Sequence, residues 1–313
     1  MKFRCLEVST IGQLANETLH LEKNGWVHSI FEHTVNLLLP SSELICITEL
    51  SLFDPWTAIV KDKIDFNNLG LKEDMPFSYR LDVLKIEDVK LNFDLSGVNI
   101  YKNTKNFVSP PLNKWLIYRN LEKLRAFCGV CCPDAGLAPL IWYISDNSEH
   151  GNIDNLNSTA LMALPRILCL IEKMKLKDLK GISRATDSLV GLGPGLTPSA
   201  DDMFRGIISV FNLLGSCMCT GGHVDTLRQI NRCIFTSAAG KTNLISQKML
   251  EHALEGQIPR IMHDLVLSFL EVDNNLIQKC LDVGLYGKTS GFDYLLGVAI
   301  GMSLISETNL VLV

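Results

Sequence analysis

Hydrophobic positions follow two different patterns along the chain, and the pattern changes near residue 110. Before it, short runs of Ile, Val, Leu and aromatic residues are separated by Pro, Asn, Asp and Gly, which is typical of antiparallel strands. No long helical period competes with this interpretation, although Gly25–Leu39 fits either a strand or a short helix. Strands are predicted within Ser42–Leu52, Pro55–Val60, Leu81–Ile86 and Val89–Phe93.

Beyond Pro110 and Pro111 the hydrophobic period becomes about 3.6 residues, which predicts helices with one apolar face. The first helix is indicated by Leu112, Leu116, Leu121, Leu124 and Cys128. Further helical windows are Thr159–Lys175, Met203–Leu214, Val224–Ala239, Ile245–Leu254, Ile258–Leu270, Asn274–Leu281 and Phe292–Ile305. Pro165 is expected to kink or restart its helix. The predicted fold class is α+β, with a β-rich N-terminal domain at residues 1–109 and an all-helical C-terminal domain at residues 110–313.

The composition agrees with two domains and restricts the classes of binding partner. The 313 residues exceed the roughly 100–200 of a usual domain, and 47% hydrophobic residues supply a large core, which excludes disorder. A net charge of −5 without a long basic run argues against nucleic acid and anionic membranes as partners. The first residues show no signal-type apolar stretch, and the longest apolar segment, Leu295–Ile305, is too short to span a bilayer. We therefore expect a cytoplasmic protein, with most of its ten cysteines reduced and buried.

The most informative motif is a glycine-rich loop that leads into a helix, Val190–Gly206 (VGLGPGLTPSADDMFRG). Its three alternating glycines permit positive φ angles and close backbone approach, and Thr197 or Ser199 can cap the helix. Free N–H groups and the positive end of the helix dipole then point at one place, as in sites for small anions. The alternative is a tight turn before a well-capped helix, without a ligand.

A second segment, Gly284–Gly301 (GLYGKTSGFDYLLGVAIG), repeats the pattern of this motif. When Ser199 is aligned with Ser290, an aspartate three positions later and a glycine seven positions later also align. The aspartate and the glycine share one helix face, and the glycine allows a neighbouring helix to approach closely. We interpret the two segments as a local pseudo-repeat whose helix starts meet at one pocket. Two capped helices that share only a turn type are the alternative.

Asp201 and Asp202 complicate an anion site, because first-turn carboxylates suit the helix dipole but repel an anion. One resolution is a Mg²⁺ ion that bridges the carboxylates and substrate oxygens. The other is that an aspartate acts as a base or holds a substrate N–H group. Lys241, Lys288 and Arg205 are candidate counter-charges, although each, taken alone, is more typical of a solvated side chain.

The segment GLGPGLTPSADD resembles the signature of the AllH-like family, G-L-G-x-G-L-T-P-S-G-D-D. Three further segments resemble patterns of that family: Val27–Leu38, Thr242–Gly256 and Gly287–Gly297. The resemblance thus reaches both halves of the chain. The chain departs from the signature at Ala200, where the family usually has glycine. The added methyl group either crowds a backbone contact or changes nothing.

The resemblance implies one subunit of a carbamoyltransferase-type complex. The family includes the AllH subunit of bacterial oxamate carbamoyltransferase, which acts in anaerobic allantoin breakdown. That assembly interconverts carbamoyl phosphate plus oxamate with oxalurate plus phosphate. Members occur with an FdrA-like protein, which resembles an acyl-CoA synthetase, and with a further subunit. The S-T-R-T motif of ordinary transcarbamoylases is missing here, so that class supplies no residue roles.

We expect a small-anion pocket at the two helix starts of such a subunit. The predicted catalytic residues are Asp201, Asp202 and Asp293, and the first two are also the candidate ligands of Mg²⁺. Residues predicted to bind the anionic substrate (carbamoyl phosphate, oxamate or a related acid) are Gly193, Gly195, Thr197, Ser199, Thr242, Ser246, Lys288 and Ser290. The alternative function is a non-catalytic subunit that binds a metabolite or scaffolds an FdrA-like enzyme. In that case the paired motifs only shape helix packing.

Overall fold

The computed structural model describes residues 3–51, 53–102, 113–144, 153–217, 222–272 and 275–307. The chain forms two compact units, Met1–Asn106 and Phe107–Val313. The predicted boundary between residues 109 and 110 falls within 103–112, outside the described residues. The fold class is α+β as predicted, because the first unit is built mainly of strands and the second of helices.

The first unit is built around a nine-stranded sheet. Its strands are β1 Arg4–Gly12, β2 Asn24–Phe31, β3 Thr34–Leu38, β4 Leu44–Thr48, β5 Thr57–Val60, β6 Pro76–Arg80, β7 Val83–Ile86, β8 Leu91–Asp94 and β9 Asn99–Tyr101. The sheet order is β5-β4-β3-β2-β6-β7-β8-β1-β9, and β5 also pairs with β1, which closes strands β1 to β8 into a barrel. Alternate side chains fill the interior, among them Val27, Val35, Ile45 and Phe93.

One expectation for this unit is wrong, and one element was not predicted. The sheet is mixed rather than antiparallel, because β1 runs parallel to β8 and β9, and β4 runs parallel to β5. A helix, α1 (Gln13–Glu22), follows β1 and buries Ala15, Thr18 and Leu19 on one side. Its short, largely polar sequence gives too few apolar positions to show a helical period. The ambiguous segment Gly25–Leu39 contains the antiparallel pair β2–β3.

The described part of the second unit is helical: α2 Lys114–Cys131, α3 Ser158–Lys175, α4 Leu179–Leu189, α5 Ser199–Cys217, α6 Gly222–Ala238, α7 Leu244–Leu254, α8 Arg260–Ser268, α9 Leu276–Gly284 and α10 Ser290–Glu307. Each predicted window coincides with a helix, whereas α4 is not indicated by the pattern because it contains few large apolar residues. Helix α3 continues through Pro165 rather than restarting there. Pro165 is exposed, so water can satisfy the carbonyl group that loses its partner.

Cysteines do not fit the expectation that most of them are buried. Among the eight cysteines whose side chains the structure describes, only Cys128 and Cys280 are buried, and none of the eight forms a disulfide. None of the described helices is both long and apolar enough to cross a membrane.

Helices α5 and α10 lie at the centre of the second unit. Every residue of 199–211 in α5 and of 291–305 in α10 is buried, as expected for helices that are covered on all sides. Gly206 packs on Gly297 and Val210 packs on Gly301, and both contacts join residues 91 apart. A constant separation means that the two helices run in the same direction. Their N-termini therefore lie side by side.

Candidate functional site

The crossing of α5 and α10 depends on two glycines that have no room for a side chain. A Cβ atom on Gly297 would lie 2.0 Å from the carbonyl oxygen of Met203, and one on Gly206 would lie 2.4 Å from that of Tyr294. The close helix approach expected from the aligned glycines is therefore confirmed. It brings the acidic first turns of both helices together.

The glycine-rich loop before α5 is anchored at both ends. Its three alternating glycines have φ between 75° and 111°, a region that favours glycine. The Gly191 N–H group donates to Asp201 Oδ1 (2.9 Å). The side chain of Asn243, which caps α7, donates to the carbonyl oxygen of Leu196 (2.8 Å). These contacts hold the loop against the starts of α5 and α7.

This loop presents hydrogen-bond donors that the protein does not use. Backbone N–H groups without an acceptor among the described residues are those of Gly193, Gly195, Leu196, Thr197 and Ser199. The Ser199 hydroxyl is buried and has no partner at hydrogen-bond geometry among them. It faces Gly193, where an added Cβ atom would lie 2.8 Å from the hydroxyl oxygen. Unused donors at the positive end of a helix dipole are what a bound anion requires.

A chain of hydroxyl groups connects α10 to the first turn of α5. Thr197 Oγ1 donates to Asp202 Oδ2 (2.8 Å) and lies 2.9 Å from Ser290 Oγ. Because Thr197 has a single hydroxyl proton, Ser290 donates to Thr197 when Thr197 donates to Asp202. Thr197 and Ser290 are half-buried. The buried Asp202 carboxyl group is thereby linked to side chains that reach the surface.

Asp293, the aligned residue on α10, is covered instead. Its Oδ1 atom accepts the N–H group of Leu137 (2.5 Å), and its side chain is fully buried. Gly136, at φ 77°, packs directly on the carboxyl group, since an added Cβ atom would lie 2.6 Å from Oδ1. The Oδ2 atom has no partner at hydrogen-bond geometry among the described residues. Sequence reasoning missed this covering turn, for which the only signal is the Asp-Ala-Gly turn sequence at residues 134–136.

Burial raises the pKa of both carboxyl groups. The pKa of Asp202 rises to about 7; the charge of Arg205 and the hydroxyls of Thr197 and Ser290 oppose the rise, whereas Asp293 adds to it. Burial likewise raises the pKa of Asp293 to about 6, against the N–H group of Leu137 and the Ser199 hydroxyl. Each serine therefore acts on the aspartate of the other helix. The two carboxyl groups converge closely enough to influence each other.

Arg205 is the buried counter-charge of Asp202. It is 1% exposed, and its guanidinium carbon lies 5.8 Å and 6.0 Å from the ring centres of Tyr286 and Tyr294. The expectation of a solvated arginine is therefore wrong for this residue. Its position three residues after Asp202, one helical turn away on the same side, supports its role as the counter-charge predicted from the sequence.

Asp201 turns to a different set of partners. It accepts hydrogen bonds from the Gly191 N–H group and the Thr242 hydroxyl. Burial raises its pKa, and the hydroxyl of Ser246 on α7 acts in the opposite direction. Thr242 and Ser246 thus lie beside Asp201 rather than beside Asp202. A role for them in substrate binding stays a prediction.

The arrangement does not fit one Mg²⁺ ion shared by Asp201 and Asp202. Both oxygens of Asp201 accept hydrogen bonds from protein groups, and Asp202 faces Thr197. The described residues contain no group of three or more His, Cys, Asp or Glu side chains that could hold a metal ion.

The two predicted lysines differ. Lys241 pairs with Asp187 (2.6 Å), so its charge is compensated outside the site. Lys288 lies in the turn before α10, two residues before Ser290, and is exposed. It forms no ion pair with any side chain that the structure describes.

The N-terminal segment Val27–Leu38 has a structural role in the barrel. Asn36 on β3 donates to the hydroxyl of Ser29 on β2 (3.0 Å), and these buried residues face each other across the strand pair. A buried polar pair of this kind favours one strand register.

These features define a two-unit α+β protein in which two parallel helix starts form a donor-rich site. A family model described as oxamate carbamoyltransferase subunit AllH matches residues 189–302, which include both helix starts. A second model, described as the AllH family N-terminal domain, matches residues 6–100. The chain belongs to the AllH family. No solved structure matches the chain.

Proposed function

We propose that this protein is a subunit of a cytoplasmic oxamate carbamoyltransferase-type complex and binds the small anionic substrate where α5 and α10 begin. The observation that carries the proposal is the set of backbone N–H donors at residues 193–199 that have no acceptor among the described residues. The reaction is the exchange of carbamoyl phosphate plus oxamate with oxalurate plus phosphate. Its other components are an FdrA-like protein and a further subunit.

Each bound group has a matching donor. The phosphate group of carbamoyl phosphate binds the backbone N–H groups between Gly193 and Ser199, which lie at the positive end of the α5 dipole. When the substrate binds, the Ser290 hydroxyl turns from Thr197 and donates to the carbamoyl oxygen, where negative charge develops during transfer, while Thr197 keeps its hydrogen bond to Asp202. Lys288, exposed beside Ser290, binds the carboxylate of oxamate.

We assign the proton transfer to Asp202. The amide nitrogen of oxamate attacks the carbamoyl carbon, a C–N bond forms, and the bond from that carbon to the phosphate oxygen breaks. The nitrogen loses one proton, which ends on the departing phosphate. Asp202 passes this proton through the Thr197 hydroxyl, and a carboxyl pKa of about 7 suits both steps. Asp201 keeps the glycine-rich loop in shape through its hydrogen bond from the Gly191 N–H group.

The test is carbamoyl transfer by the assembled complex, followed as phosphate release with carbamoyl phosphate and oxamate. Thr197→Val keeps the shape of the side chain but removes its donor, and we expect about 100-fold slower turnover. The matched control is Thr236→Val, because Thr236 is exposed on α6 and bonds only to carbonyl groups of its own helix. Turnover of Thr197→Val within twofold of the control would refute the proposed site.

The alternative is a non-catalytic subunit that binds a metabolite or scaffolds the FdrA-like protein. The covered carboxyl group of Asp293 favours this function, because a fully buried side chain under Gly136 has no open path to a substrate. In that case the aspartates only fix the packing of α5 and α10. Unchanged turnover in Thr197→Val, with normal assembly of the complex, is the outcome that would favour it.

A further inference from the structure

Helix α3 is apolar on two opposite faces, although only one faces the core. Its core face is formed by Ala160, Ala163, Ile167, Leu170 and Met174. The opposite face is apolar and open: Leu161 is 43% exposed, Met162 51% and Leu168 44%. Pro165 and Cys169 lie between them and are exposed as well. This open face is apolar from Leu161 to Cys169 and ends at the exposed Glu172, and an exposed apolar patch of this kind is a candidate contact surface.

A groove runs beside this face, between α3 and the antiparallel helix α4. Its volume is about 380 Å³, within the range of pockets that admit side chains or ligands of similar size. Small residues form the floor of the groove, because Gly181, Ala185 and Ser188 follow one another along α4. Arg166, Lys173 and Arg184 line the groove, with Cys169 between them. The groove therefore combines an apolar wall with positive charge.

The positive charge of this helix pair contrasts with the acidity of the chain. Residues 158–189 contain six basic and three acidic side chains, whereas the whole chain has a net charge of −5. Asp178 caps α4 and also lies beside Lys173, whereas Asp187 pairs with Lys241 outside the groove. The third, Glu172, lies beside Lys173 (3.1 Å). The charge of the groove is thus compensated only in part by the acids of this segment.

We propose that the exposed face of α3 and the α3–α4 groove bind an acidic amphipathic helix of a partner subunit. The apolar ridge of that helix covers Leu161, Pro165 and Leu168, and its carboxylates pair with Arg166, Lys173 and Arg184. The part of α3 from Leu161 to Lys175 is about 21 Å long at 1.5 Å per residue. That length accommodates about four turns of a partner helix.

Charge and shape argue against two other occupants. A second copy of this chain, docked through the same face about a two-fold axis, would bring basic residues against basic residues. A flat anionic bilayer would meet the ridge of α3 but would leave the recessed groove empty. The proposal depends on the chain being one subunit of a complex, and it does not depend on the anion site at α5 and α10.

The test uses the full-length protein purified with the subunits of its complex. A zero-length reagent that joins amines to carboxylates is expected to link Lys173 or Lys180 to acidic residues of one identified subunit. The double variant Leu168→Asp/Arg184→Glu should recover at least tenfold less of that subunit. Its matched control, Leu81→Asp/Arg80→Glu, makes the same changes at exposed residues of the first unit and should recover it fully.

Several outcomes would overturn the proposal. The first is full recovery of the subunit by the α3–α4 double variant when that variant unfolds at the wild-type temperature. The second is that Lys173 cross-links only to a second copy of this chain. The third is that the wild type binds vesicles containing phosphatidylserine and the double variant does not. The single variant Arg184→Glu, at an exposed position, provides a second test if the double variant does not fold. Thr197→Val should retain the partner, which separates failure of this surface from failure of the anion site.

Discussion

The starts of α5 and α10 share one sequence pattern, but their aspartates lie in different surroundings. In both, a serine, an aspartate and a glycine keep the same spacing, and the glycines meet at the crossing. Asp202 has a buried arginine one turn away and a half-buried threonine beside it. The position equivalent to Arg205 on α10 is Leu296, and Asp293 is held by backbone N–H groups under a covering turn. The two helix starts therefore share the same packing, but the charged groups around their aspartates differ.

The alanine that replaces the usual glycine of the signature belongs to the same contrast. At the aligned position on α10, a Cβ atom on Gly291 would lie 1.8 Å from the carbonyl oxygen of Val283, so no side chain fits. On α5, Ala200 is fully buried and its methyl group packs in the core. The start of α10 is thus pressed against α9, whereas the start of α5 has room for one methyl group. The open question of crowding at Ala200 is settled in favour of ordinary packing.

The largest expected effect comes from separating the two helix starts. In Gly297→Ala the new methyl group meets the backbone of α5, which cannot move aside as a side chain can, and we expect about 3 kcal/mol of lost stability. Gly215→Ala on α5 is the control, since its Cβ atom would make an ordinary 3.5 Å contact with Leu227. Denaturant unfolding measures both variants. Equal stability of the two would contradict the close crossing.

The second comparison replaces each aspartate by its neutral isostere. We expect Asp202→Asn to slow carbamoyl transfer by the complex about 100-fold, because the group that moves the proton is lost. Asp293→Asn should slow it less than tenfold, because its side chain is covered. Asp225→Asn, at an exposed helix position, is the control for both. A larger loss for Asp293→Asn than for Asp202→Asn would reverse the assignment of roles.

The smallest expected effect is a pH dependence of stability, to which Asp293 and Asp202 contribute over different pH ranges. The pKa of Asp293 is raised to about 6, above its value near 4 in an unfolded chain. Between these values the folded protein keeps a proton that the unfolded chain has released, so the free energy of unfolding falls as the pH rises. Because the pKa of Asp202 is raised to about 7, the free energy of unfolding continues to fall up to about pH 7.

Asp293→Asn should remove its part of this dependence. At pH 8 we expect the variant to be more stable than the wild type by on the order of 2 kcal/mol. Urea unfolding between pH 4 and pH 8 measures the difference, and Asp225→Asn should follow the wild-type curve. A stability that rises with pH over this range in the wild type would show that the carboxyl groups are ionised at low pH, contrary to their burial.

Most of the fold could be predicted from patterns formed by residues that lie close together in the sequence. The helical windows and the aligned glycines depend on spacing along one element, and the structure confirms them. Contacts between distant segments were not predictable. The parallel pairing of β1 with β8 joins residues more than 80 apart, and Gly136 reaches Asp293 from another part of the chain. The sequence indicates Arg205 as a candidate counter-charge, but its burial depends on tyrosines from α10 and the turn before it.

The parallel crossing of α5 and α10 also has a consequence for how the protein folds. Two helices in the same direction cannot be joined by a short turn, and the chain between the two aligned glycines forms α6 to α9. The two halves of the site therefore meet only after a long loop closes, a step with a high entropy cost and a slow rate. During synthesis, a chain that ends before α10 has the glycine-rich loop but lacks the helix start that completes it. The site is thus one of the last parts of the second unit that can form.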